Sequence, residues 1–134
     1  MDQANRSPAI RVLMMPRDAN PAGTIFGGLI LSYMDQAGAE EALLAGAERV
    51  VTVAMQSVVF HEPVYVGDLV SFFTERLRTG RTSVAVRVVV DAARSWDRRE
   101  MVRVTEAEIT YVNVDPQGNP RPLVEHRRRG VAEV

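Results

Sequence analysis

The sequence predicts an α+β domain: one long helix laid on an antiparallel sheet of five strands. Three observations carry this. One helical run follows a loop made of turn-forming residues, four β-rich segments follow it with no second helical pattern, and a short apolar segment precedes the loop. The chain has 134 residues, 46% of them hydrophobic. That is enough for one domain with a real core.

Ala9 to Met15 reads as the short first strand. Pro16 to Gly23 is loop chemistry throughout, with two prolines, Asp18, Asn20 and a glycine. Asp18 and Asn20 suit turn and cap hydrogen bonds there. A helix is expected from Phe26 to Leu44, ended by Gly46. Val50 to Phe60 is dense in valine, and Asp68 to Thr79 carries Val70, Phe72 and Phe73. Arg81 to Ala93 alternates, with Val84, Val86, Val88 and Val90 on one face. Met101 to Val114 completes the set. Pro63 to Gly67, Gly80-Arg81 and Ser95 to Glu100 are the turns between them. Beyond Asp115-Pro116-Gln117-Gly118-Asn119-Pro120 the chain becomes polar, so the domain is drawn over 8–123 and a polar tail over 124–134. No internal repeat or linker interrupts it. Gly27, Gly28, Ala37, Gly38 and Ala39 give the helix small residues for close approach to the sheet. Long strands with open edges under a single helix imply pairing with a second copy.

Composition narrows the function. A net charge of -1 offers no electrostatic footprint for nucleic acid or an anionic membrane surface. There is no cysteine, which removes disulfides, thiolate nucleophiles and cysteine metal sites. The two histidines, His61 and His126, are not at metal-ligand spacing. Every basic side chain is arginine, so lysine-based phosphate loops and Schiff bases are absent too. Met1 to Pro8 carries no apolar leader and no stretch reaches the length of a membrane span. A cytoplasmic location is the default expectation.

Asp35 is the residue most in need of explanation. It lies among Leu29, Ile30, Leu31, Tyr33 and Met34, with Ala37, Gly38 and Ala39 after it, on a helix expected to be largely buried. Carboxylates are rarely buried without a partner. This one is either satisfied by a distant donor or kept for chemistry.

Several pieces together resemble a known family. They are Met15-Pro16-Arg17-Asp18-Ala19-Asn20, Gly23-Thr24-Ile25-Phe26-Gly27-Gly28, Met34-Asp35-Gln36-Ala37-Gly38, Val50-Val51-Thr52-Val53, Phe60-His61-Glu62-Pro63-Val64-Tyr65-Val66-Gly67-Asp68 and Gly80-Arg81-Thr82-Ser83. In that order and spacing, and with the exit Tyr111 to Pro122, they resemble the acyl-CoA thioesterases of the hotdog fold over roughly Arg11 to Leu123. The resemblance implies a central helix wrapped by the sheet and a double-hotdog dimer, assembling further to a tetramer or hexamer. It implies hydrolysis of acyl-CoA to free fatty acid and coenzyme A. No metal or redox cofactor is implied, coenzyme A being part of the substrate.

Thioester hydrolysis needs a base to activate water, or a nucleophile, and donors for the oxyanion. Asp35 is the candidate base, or less readily the nucleophile. The N–H groups of Gly27 and Gly28, at a helix start, are the candidate donors; close helix packing would also explain that glycine pair. Eight positions separate Gly27 from Asp35 on one helix, about 12 Å of rise. One helix therefore cannot bring both to a single carbonyl. Two antiparallel helices across a dimer must build each site, which makes a monomer inactive and sets a positive helix end near Asp35.

Thr24 departs from the family, which commonly has Asn or Asp there. It keeps a hydroxyl and is still expected to border the site. Gly80, Arg81, Thr82 and Ser83 form a hairpin turn that the resemblance sets along the pantetheine and nucleotide, with Arg81 toward phosphate. His126-Arg127-Arg128-Arg129 reads as polar tail or as a contact for the 3′-phosphate. Two other functions compete: a non-catalytic acyl-CoA-binding regulatory module, and a hotdog dehydratase dependent on His61.

Overall fold

A computed structural model of the chain describes residues 6–124. Strand β1 covers Ile10–Leu13 and a short 3-10 turn covers Pro16–Asp18. Helix α1 covers Gly27–Leu44. Strands β2, β3, β4 and β5 follow at Val50–Phe60, Leu69–Thr79, Ser83–Ala93 and Met101–Asn113. Every expected element is present, with ends within two residues of expectation. Of the expected tail, all but Val124 lies outside the described residues, including the His126 to Arg129 run.

All pairings are antiparallel, in the order β1-β3-β4-β5-β2. The sequence-adjacent β1 and β2 thus lie at opposite edges, because α1 carries the chain across the sheet between them. On β4, Val84, Val86, Val88 and Val90 all face the core, as the alternation predicts. The helix stops through Gly46, whose φ of +112° belongs to the left-handed region. Ala47 N–H then donates to the Ala42 carbonyl at 3.1 Å, a Schellman-type closure.

The helix is not buried all round. Ile30, Met34, Ala37, Gly38 and Ala42 form its buried stripe, while Asp35 is only half-buried. The expectation of a largely buried helix is corrected by the open flank beside β2, which leaves one side of α1 uncovered in the protomer. Small residues also divide by task. A Cβ on Gly38 would come within 2.9 Å of the Tyr111 ring, so only glycine permits that approach. A Cβ on Gly28 would meet nothing within 4 Å in the protomer, so packing within it does not account for that glycine. Strand β2 is the exposed edge, with Val51, Val53, Val59 and Phe60 all left open. Register shifts between Thr52 and Ala54 and between Gln56 and Val59 bend it.

Candidate active site

Helix α1 begins without a side-chain cap. Its N-cap is Phe26, where Ser, Thr, Asp or Asn would ordinarily supply an acceptor. Leu29 and Ile30 N–H groups reach back to the Phe26 carbonyl at 3.2 and 3.4 Å. The Gly27 and Gly28 N–H groups find no acceptor among the described residues. They carry the positive end of the helix dipole and face no side chain of their own.

The chain leading to this helix end is held firmly. Gly23 takes φ +93°. The Asn20 side chain accepts from the Ala22 and Thr24 N–H groups at 2.9 and 3.2 Å and donates to Thr24 Oγ1 at 2.8 Å. Asp18 accepts from Met15 N–H at 2.9 Å. These are the turn bonds expected of Asp18 and Asn20. Ile25 N–H donates to the Val64 carbonyl at 2.8 Å, and Thr24 bridges Tyr65. The β2–β3 connection therefore lies alongside the helix start.

Between the two is a cleft of about 350 Å³. Ile25, Ile30 and Val64 form its apolar floor, and Thr24 and Gly27 line one side. Phe60, His61, Glu62 and Pro63 line the other. The Phe60 ring lies against Gly27, 3.4 Å from where a Cβ would stand. Gly28 adjoins the cleft in sequence but does not line it. Among the described residues, no cluster of His, Asp or Glu is arranged to hold a metal ion.

Asp35 is not in this cleft. Its Oδ1 accepts from Thr52 Oγ1 of β2 at 2.7 Å. Its backbone carbonyl accepts from the Tyr111 hydroxyl at 2.8 Å. Burial raises the Tyr111 pKa, and the neighbouring Asp35 charge raises it further. The carboxylate is thus held on the β2 flank by a donor from a different element, the distant partner that its sequence context calls for.

The Gly80 to Ser83 turn lies at the opposite end of the sheet from the cleft. Ser83 pairs with Val112 and Val84 with Tyr111, whereas Phe60 pairs with Thr105. Gly80 N–H donates to the Ser83 carbonyl at 2.8 Å, closing the hairpin. Asn113 N–H to Thr82 and Leu123 N–H to Arg81 lace the turn to the exit segment. The Arg81 guanidinium has no partner among the described residues. One end of the protomer therefore carries Thr24, Gly27 and the cleft. The other carries the turn, with Asp35 toward it over Thr52 and Tyr111.

The thioesterase superfamily profile matches residues 22–95. The chain belongs to that superfamily. The acyl-CoA thioester hydrolase YciA of Salmonella typhimurium is 40% identical over 121 residues, covering 85% of this chain and 87% of that protein. A hexameric hotdog fold thioesterase of Campylobacter jejuni is 44% identical with a TM-score of 0.83, covering 91% of this chain and 93% of that one. HI0827, a hexameric broad specificity acyl-coenzyme A thioesterase, is 36% identical with a TM-score of 0.84, covering 98% and 93%. The fold of this thioesterase superfamily member is the hotdog fold, as expected.

Several residues beside Asp35 or in the cleft are not among the expected site residues. Thr52, Tyr111 and Phe60 reach Asp35 or Gly27 from strands, and only long-range pairing reveals that. His61, the residue on which the dehydratase alternative depends, stands at the cleft wall with Glu62 beside it. The one local signal available was Thr52, a lone hydroxyl in a run of valines.

Proposed function

We propose that the protein is an acyl-CoA thioesterase, releasing free fatty acid and coenzyme A. The observation that carries it is the separation of the two catalytic parts. An uncapped helix end sets Gly27 at the wall of a cleft, while a hydrogen-bonded carboxylate stands about 12 Å further along the same helix, beside an unpaired strand edge. Two copies joined along β2 in antiparallel fashion would bring each carboxylate to the other's cleft.

Water attacks the thioester carbonyl carbon and gives its proton to Asp35. The negative charge that grows on the carbonyl oxygen is met by the Gly27 and Gly28 amides of the other copy. Collapse of the tetrahedral intermediate breaks the C–S bond, and the thiolate of coenzyme A leaves and is protonated. Thr24 borders the reacting group from the cleft side. The Gly80 to Ser83 turn lies along the pantetheine, with Arg81 toward phosphate. The substrate brings its own coenzyme A, and the step uses no other cofactor. Likeness to hexameric thioesterases supports a hexamer built of such dimers. Among the described residues, no helix is long and apolar enough to cross a membrane.

The test is a panel of short, medium and long acyl-CoA esters with free thiol as the readout. The wild type should cleave at least one class, and Asp35→Asn should lower kcat by roughly 10²–10⁴. Binding without turnover by the wild type would point instead to a regulatory module. Hydration of an enoyl thioester without thiol release, lost in His61→Asn, would point to a dehydratase.

A further inference from the structure

We propose that Arg94 is a positioning residue for the cleft, clamping the Glu62 to Tyr65 wall against the approach to helix α1. Arg94 directly follows β4, has no place in the catalytic scheme, and is only 4% exposed. Its Nη1 donates to Asp68 Oδ2 at 2.7 Å and to the Pro63 carbonyl at 2.8 Å. Its Nη2 lies 4.0 Å from Glu62 Oε2. The guanidinium carbon stands 5.0 Å from the Tyr65 ring centre and 5.5 Å from that of Trp96.

Asp68, wholly buried, completes the clamp. It accepts from Tyr65 N–H at 2.9 Å and from Ser95 N–H at 3.2 Å. Each side of the ion pair thus holds a different part of the wall: Arg94 takes the Pro63 carbonyl and Asp68 the Tyr65 amide. Val64, between them, accepts from Ile25 N–H at 2.8 Å, two residues before Gly27. The path from Arg94 to the oxyanion amides runs through Pro63, Val64 and Ile25.

A buried ion pair is a costly way to gain stability alone, since desolvation offsets most of the attraction. What it supplies is a fixed geometry. A guanidinium fork sets Nη1 between the Asp68 and Pro63 acceptors while Nη2 faces Glu62 and its carbon stands near two rings, a reach that a single ammonium lacks. The positions of the Val64 carbonyl, and hence of Ile25 and the helix start, depend on that fork.

The test is Arg94→Lys, which keeps the charge opposite Asp68 and loses the fork. Amide hydrogen exchange and acyl-CoA kinetics are measured on the full-length protein. The Ile25 amide should exchange roughly tenfold faster than in the wild type, while amides around Ala37 stay unchanged. The kcat should fall by roughly tenfold or more with KM within about threefold, as misplacement of donors rather than lost binding predicts. Trp96→Ala, which removes one of the two rings beside the guanidinium and leaves the ion pair, is read by the same criteria if Arg94→Lys does not fold. Unchanged Ile25 exchange, or faster exchange with kcat within about twofold of wild type, overturns the proposal. The kinetic arm rests on the thioesterase reading and the exchange arm does not. Faster Ile25 exchange in a protein whose wild type cleaves no acyl-CoA would sink that reading and leave the clamp standing.

Discussion

The Thr52 hydroxyl donates to Asp35 Oδ1 at 2.7 Å, joining β2 to the middle of α1. One carboxylate oxygen is thereby occupied and the rotamer set; in the proposed mechanism the other oxygen takes the proton from water. Thr52→Val keeps the shape and removes the donor. Its kcat should fall by roughly tenfold, less than in Asp35→Asn, because the base remains but wanders. A wild-type kcat in Thr52→Val would show that this bond does not orient the base.

The proposed division of each site between copies predicts complementation. Asp35→Ala lacks the base. Gly27→Val crowds the helix start, where Phe60 lies 3.4 Å from even a first Cβ. Each alone should be nearly inactive. Co-expressed, they form mixed dimers in which one of two sites has both parts intact, so about a quarter of wild-type activity should return under random pairing. No recovery in verified mixed dimers would mean that each protomer makes its own site.

Gly38→Ala sets helix propensity against space. Alanine is favoured in a helix interior by about 1 kcal/mol. Here its Cβ would press within 2.9 Å of a Tyr111 ring that is pinned through its hydroxyl to Asp35. Overpacking costs about 1–3 kcal/mol, and a ring held at both ends cannot retreat, so the clash should win. Thermal denaturation should show a lowered Tm; an equal or higher Tm would show that the helix shifts to make room.

Tyr111 predicts an alkaline limit to stability. In the unfolded chain it ionises near its ordinary value of 10.0, while the folded chain holds the proton well beyond that. Above pH 10 the folded state therefore binds more protons than the unfolded state, and stability falls as pH rises. Urea midpoints should decline more steeply above that pH for wild type than for Tyr111→Phe. At neutral pH the Tyr111→Phe variant should be about 1 kcal/mol less stable, for the lost hydrogen bond to the Asp35 carbonyl. Parallel pH curves would assign the alkaline loss to other groups.

By itself the sequence determined what repeats over short distances. Helix α1 and the four long strands were legible because burial imposes periods of 3.6 and 2 on neighbouring residues, and glycine and proline mark their ends. The glycine pair and Asp35 stood out locally, and helix rise alone separated them. Tertiary structure decided the rest. It set β2 at the far edge beside Asp35, brought Thr52 and Tyr111 to that residue, and gathered Phe60, His61 and Glu62 around Gly27. It also joined Arg94 to Asp68 beneath Pro63. Those contacts link residues 17 to 76 positions apart, and no local pattern specifies them. They follow from which strands pair and in what register, a choice made by the burial of the whole sheet at once.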